Sequence, residues 1–208
     1  APLHLRVPGD FSSAAFLIVA AALLDGSDVR ITGVGLNPTR TGLLDALRRM
    51  GARIEIEERV EQGGEPVGTV RVRGGPLRAT TIRGEEVVRA IDELPVLAVA
   101  ATQAEGETVI ADAAELRVKE VDRIALLAAA LRQMGAGIEE RPDGMIIQGP
   151  SRLRGAGVSS RGDHRLGMAL AVAGLVAEGE THVREAECIA DSFPGFARAM
   201  ADLGAEIG

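Results

Sequence analysis

Between Leu116 and Ile124 the chain reads LRVKEVDRI, with Lys119, Glu120, Asp122 and Arg123 crowded ahead of an apolar, Ala-rich run. On one helix, Lys119 and Arg123 share a face and repel, which costs a few tenths of a kcal/mol. A Glu120–Arg123 pair at i,i+3 would soften that cost. The stretch SSRGDHRLGMALAVAG (159–174) repeats the oddity with Asp163, His164 and Arg165. A cation at a helix N-terminus opposes the macrodipole, unless an anion lies between the helix end and the guanidinium. A third helix start, PTRTGLL, carries Arg40. Three such cationic starts point to a multiply charged anion such as a phosphate. Asp92 and Glu120 are then candidate acid–base groups beside it.

Simpler structural readings stand beside this one. Asp92 and Glu93 precede LPVLAVAA, and one of the two acids, taken alone, reads as the cap of that helix. Asp10, Ser12 and Ser13 in VPGDFSSAAF are N-cap candidates over an apolar helix, whose free N-terminus also suits an anion. His164 alone reads as a structural histidine. His4, His164 and His182 are too scattered for a metal site. In VRITGVGLNPTRTG the third glycine of G-x-G-x-x-G falls on Pro38, so the segment reads as a tight turn and not as a dinucleotide loop.

What positions these residues is a repeat. AAFLIVAAALLDGSDVRITGV, LPVLAVAATQAEGETVIADA and LGMALAVAGLVAEGETHVREA are three copies of an apolar helix, a glycine turn (Gly26, Gly106, Gly179) and a strand. A second helix and a glycine stop follow in each copy (Gly51, Gly135, Gly204). Copies one and two run on into further strands, GTVRVRG and GMIIQGP, whereas the third meets the chain end at Gly208. The expected fold class is α/β (α+β): a pseudo-threefold domain of three βαβαββ units, about 1–75, 76–150 and 151–208. The first helices, apolar nearly all round, are buried with the sheets outside them. One domain over 1–208 is expected. The start LHLRVPGD reads as a strand and turn that continue something larger, and EERVEQGGEPVG (57–68) reads as an exposed hairpin loop.

Composition narrows the ligand. Of 208 residues, four are Phe and none is Tyr or Trp, so stacking platforms for single-stranded nucleic acid are lacking. A net charge of −7 disfavours a general polyanion binder but leaves room for a small anion held by local arginines. No nucleic acid partner is expected. The single Cys188 excludes an internal disulfide and fits a reducing, cytoplasmic setting. No apolar run reaches the ~20 residues that span a bilayer, so no membrane partner is expected.

The motifs VPGD-x-SSAAF, NPTRTG, IDE-x-P-x-LAVAA, LRVKE-x-DR, DHR-x-x-MA and SFPGF, in this order along the whole chain, resemble the 5-enolpyruvylshikimate-3-phosphate (EPSP) synthase family. The resemblance covers about half of such an enzyme, which has two similar domains with the active site between them. It implies a partner domain missing from this chain, whose N-terminal segment completes the third unit. It also implies transfer of the enolpyruvyl group of phosphoenolpyruvate to the 5-hydroxyl of shikimate 3-phosphate, with release of phosphate and no metal or organic cofactor. By resemblance, Asp92 is the base at the attacking hydroxyl. Lys119 contacts the shikimate phosphate and the reacting centre, Glu120 exchanges a proton at the methylene carbon, and Arg123 and Arg165 clamp phosphoenolpyruvate. Asp10, Ser12, Ser13, Asp163 and His164 are supporting candidates. The family often carries a lysine before SFP, where this chain reads CIADSFPGF with Asp191, and Glu115 is assigned no role. Two alternatives stand: half of the related transferase acting on UDP-N-acetylglucosamine, and a non-catalytic repeat scaffold. The scaffold predicts that Asp92, Lys119, Glu120, Arg123 and Arg165 lie apart.

Overall fold

A computed structural model describes residues 6–208. Most of the strand expected in LHLRVPGD, and His4 with it, falls outside the described residues.

Three apolar helices occupy the centre. Helix α1 (Phe11–Leu23) is led by Asp10, whose carboxylate accepts the Ser13 backbone N–H at 2.7 Å and the Ser13 hydroxyl at 2.9 Å. The cap satisfies donors that a first helical turn leaves unpaired. Helix α4 (Leu94–Thr102) is buried at every residue, and Pro95 sits in its first turn, where no N–H is needed. Helix α6 (His164–Leu175) starts on Asp163, which accepts the Leu166 N–H at 2.9 Å. The three pack against one another. Alanines supply both helix propensity and close approach, so helices without a polar face can share one core.

The sheets lie outside this core. Strands β1 (Asp28–Gly35), β2 (Arg53–Gln62) and β3 (Glu65–Arg73) form an antiparallel sheet in the order β1-β3-β2. The second sheet holds β4 (Leu77–Arg78), β5 (Thr81–Ile82), β6 (Ala104–Ile110), β7 (Gly137–Arg141) and β8 (Gly144–Gly149). Strands β4 and β5 run parallel to β6, and β8 pairs antiparallel with both β6 and β7. In the third sheet, among the described residues, β9 (Gly157–Ser159) pairs in parallel with β10 (His182–Arg184). A central helix therefore bridges two parallel strands in the second and third units, and the bridge Gly9–Val34 marks the same pairing in the first. The expected pseudo-threefold α/β arrangement is the one found.

Second helices α2 (Gly42–Arg49), α5 (Arg123–Gln133) and α8 (Phe196–Asp202) are followed by Gly51, Gly135 and Gly204 at φ 94°, 98° and 95°, the left-handed stops expected. Phe193 and Phe16 both meet Phe196 edge-on, fastening α8 to α1.

Several local expectations change. Residues 57–68 form the expected hairpin, but with strand in place of most of the loop: β2 and β3 pair up to Gln62–Glu65 and leave only Gly63 and Gly64, both at positive φ, as a two-residue turn. Gly106 lies inside β6, paired with Gly149. A helix not foreseen, α3 (Glu85–Ala90), precedes Asp92. In the third unit, β10 is three residues long, and a 3-10 turn (Ala186–Cys188) and the short α7 (Ile189–Ser192) separate it from α8.

Candidate active site

Asp92 lies in the turn between α3 and α4, at the entrance of the most buried helix in the molecule. Neither Asp92 nor Glu93 caps α4: the N-cap position is Glu93, without a side-chain cap bond. Capping therefore does not account for the two acids. Glu93 instead turns inward, buried, and accepts the Ser12 hydroxyl at 2.5 Å. Burial pushes its carboxyl above the ordinary value, as does neighbouring Asp92, while the Ser12 hydroxyl, Arg165 and Arg40 pull it down.

The Asp92 side chain keeps 22% of its surface exposed and meets four cations. Its Oδ1 lies 3.8 Å from Lys119 Nζ and 3.7 Å from Arg123 Nη1. Its Oδ2 lies 3.4 Å from Arg165 Nη2 and 3.7 Å from Arg40 Nη2. Yet among the described residues its carboxylate accepts no hydrogen bond, because each cation is anchored elsewhere. Lys119 Nζ pairs with Glu115 at 2.6 Å. Arg123 donates from Nε to Asp163 at 2.9 Å and from Nη2 to Glu120 at 2.5 Å. Arg165 Nη1 donates to the Asp92 backbone carbonyl at 3.4 Å, and Arg40 Nη2 to Ser12 Oγ at 2.9 Å. The result is a carboxylate surrounded by four cations, with neither oxygen taken by a hydrogen bond among the described residues.

The puzzle of Lys119 and Arg123 dissolves here. They do not share a helix. Lys119 closes a 3-10 helix (Ala114–Val118), and α5 begins only at Arg123. Asp122 caps α5 through the Ala125 N–H at 2.9 Å and pairs with Arg117 at 2.8 Å. The turn from Lys119 to Val121 lets both cations approach Asp92 from different backbone directions. Arg123 is nearly fully buried, and a buried guanidinium needs full pairing. Asp163 and Glu120 share in it: Glu120 takes Nη2, while Asp163 uses Oδ1 to cap α6 and Oδ2 to hold Nε.

The structure thus gathers Ser12, Arg40, Asp92, Lys119, Glu120, Arg123, Asp163 and Arg165. The dispersal that a scaffold predicts is not found. Asp10 and Ser13 serve the start of α1, and His164 opens α6; they border a small recess that Ser12 and Arg165 also line. Two features escaped the sequence reading: the inward Glu93, and Glu115 as the partner of Lys119. The Asp–Glu pair before Leu94-Pro95 carried a signal for the first, since two acids cannot both be caps. Among the described residues no cluster of His, Cys, Asp and Glu is arranged to hold a metal ion, and no helix is long and apolar enough to cross a membrane.

Comparison with known proteins decides the family. The model of EPSP synthase (3-phosphoshikimate 1-carboxyvinyltransferase) matches residues 1–200. The chain belongs to the EPSP synthase family. The 3-phosphoshikimate 1-carboxyvinyltransferase of Desulforudis audaxviator is 56% identical over 98% of the chain, but over only 47% of its own length. That of Gloeobacter violaceus is 59% identical over 92% of the chain and 44% of its own length. An EPSP synthase structure from Acinetobacter baumannii superposes with a TM-score of 0.95 at 40% identity, over 98% of this chain and 48% of that one. The enolpyruvyl transferase NikO from Streptomyces tendae shares the fold at a TM-score of 0.77 and 25% identity, over 97% of this chain and 44% of its own. The chain spans about half the length of the curated relatives it matches. These EPSP synthase relatives favour the shikimate reading over the UDP-N-acetylglucosamine one.

Proposed function

We propose that this chain is one half of an enolpyruvyl transferase that joins phosphoenolpyruvate to shikimate 3-phosphate and releases phosphate, in a cytoplasmic setting. The observation that carries the reading is the Asp92 carboxylate, ringed by Arg40, Lys119, Arg123 and Arg165 yet free of hydrogen bonds among the described residues. A general base must reach a substrate proton, and one already committed to protein donors does so poorly. Asp92 takes the proton of the 5-hydroxyl as its oxygen adds to the central carbon of phosphoenolpyruvate. Glu120, half exposed and steadied by Arg123, delivers a proton to the methylene carbon. Glu120 then takes a methyl proton back, re-forming the double bond as the carbon–oxygen bond to phosphate breaks and phosphate leaves. Guanidinium forks suit the carboxylate and phosphate oxygens of phosphoenolpyruvate, which is the role given to Arg123 and Arg165. The partner is the other half of the enzyme, which supplies the remaining substrate contacts.

Phosphate release from the two substrates tests this in a full-length enzyme containing the chain. Asp92→Asn is expected to lose about 10²–10⁴-fold in kcat. This chain alone is expected to release none. Wild-type turnover by Asp92→Asn, or UDP-N-acetylglucosamine replacing shikimate 3-phosphate as acceptor, would overturn the reading.

A further inference from the structure

Among the described residues, Arg40 is the cation at Asp92 to which neither the family resemblance nor the proposed reaction gives a task. Its anchor is unusual. Nη2 donates to Ser12 Oγ, which itself donates to Glu93 Oε1. Ser12 and Glu93 are both buried, so the Ser12–Glu93 bond is shielded from water, while the Arg40 side chain that docks on it keeps half of its surface exposed. The same Nη2 lies 3.8 Å from Glu93 and 3.7 Å from Asp92 Oδ2. That is ion-pair range and beyond hydrogen-bond range. The guanidinium attracts the carboxylate without capturing it.

The pulls on Asp92 are arranged in opposition. Lys119 and Arg123 face Oδ1, whereas Arg40 and Arg165 face Oδ2. Without Arg40, only Arg165 remains on the Oδ2 side. The carboxylate would then turn toward Lys119 and Arg123 and form hydrogen bonds that occupy the oxygen needed by the substrate hydroxyl. We infer that Arg40, held by the Ser12–Glu93 pair, is a positioning residue for Asp92, keeping its carboxylate balanced between two cation pairs and open to substrate. This rests on the proposed role of Asp92 as base.

Steady-state kinetics on a full-length enzyme containing this chain test it. Arg40→Gln should lower kcat about tenfold or more and leave both KM values within about twofold, the pattern of a group acting only in the transition state. Arg40→Lys should recover part of the loss, since it restores charge without the fork that reaches Ser12. Ser12→Ala should give a smaller fall, and the Ser12→Ala/Arg40→Gln double variant should be no worse than Arg40→Gln alone. Additive losses, a rise in KM at unchanged kcat, or full recovery by Arg40→Lys would each overturn the inference. Full activity in Asp92→Asn would instead overturn the reaction itself. If Arg40→Gln fails to fold, Arg40→Lys and Ser12→Ala with their double variant carry the same comparison.

Discussion

Asp163 Oδ2 accepts Arg123 Nε at 2.9 Å, and both side chains are almost completely removed from solvent. The same carboxylate caps α6 through its other oxygen. One residue therefore ties the start of the third central helix to the cation that opens α5. A buried ion pair gains little over a well-packed apolar replacement, because desolvation offsets the Coulomb term, but removing a single member strands the other charge.

Asp163→Ala is accordingly expected to destabilise the fold by about 3–5 kcal/mol, from the stranded Arg123 and the lost cap together. Asp163→Asn, which keeps an acceptor for the Leu166 N–H, should lose less. Urea unfolding of the chain measures both. An alanine variant within about 1 kcal/mol of wild type would show that Arg123 finds another partner.

Glu93 gives the stability a pH dependence. Its folded-state pKa lies above the ordinary 4.5, first because of burial. Between that ordinary value and the raised one, the native state binds more protons than the unfolded state. Stability therefore falls as pH rises through this window. Glu93→Gln, which can still accept from Ser12, carries no such term. Its stability relative to wild type should climb from about pH 4 upward and level off once native Glu93 is ionised. A difference that stays constant across the range would count against the assignment.

Leu97 tests the core beneath the site. It is fully buried in α4, the helix entered directly after Asp92 and Glu93. Leu97→Ala should cost about 2–5 kcal/mol through lost burial and a cavity. Thermal or urea unfolding gives the value, and a loss under about 1 kcal/mol would mean that the surrounding alanine-rich helices collapse onto the gap.

Arg165 offers a test that needs no turnover. It is mostly buried yet reaches Asp92, and it is proposed to clamp phosphoenolpyruvate. If this chain alone retains weak affinity for that ligand, Arg165→Ala should reduce it by about tenfold or more, the worth of one charge-assisted hydrogen bond. Titration calorimetry with identical heats for the two proteins would remove Arg165 from the anion site.

The sequence exposed the repeat because a helix without a polar face and a glycine stop are strong local signals, so α1, α4 and α6 and the stops at Gly51, Gly135 and Gly204 stood where expected. It failed where long-range pairing overrides local polarity. Residues 57–68 are charged and glycine-rich, yet pairing between β2 and β3 draws all but Gly63 and Gly64 into strand. The site followed the same rule. Clustering of Asp92 with Arg123 and Arg165 was legible as a set of misplaced charges. The inward turn of Glu93 toward Ser12 was only half legible: two acids cannot both cap α4, but nothing local distinguishes which of them faces the core.

That Ser12–Glu93 bond joins residues 81 positions apart, and the Arg165–Asp92 and Arg123–Asp163 contacts join residues 73 and 40 apart. Arg40 comes from the first unit, Asp92, Lys119 and Arg123 from the second, and Arg165 from the third. Closing such long loops costs entropy before any contact rewards it. An intermediate with two units docked can have helices, sheets and a core, but it cannot have this constellation of charges. Competence for the proposed anion would therefore come late on the folding path, and a ligand for the site would report arrival at the native state rather than mere collapse.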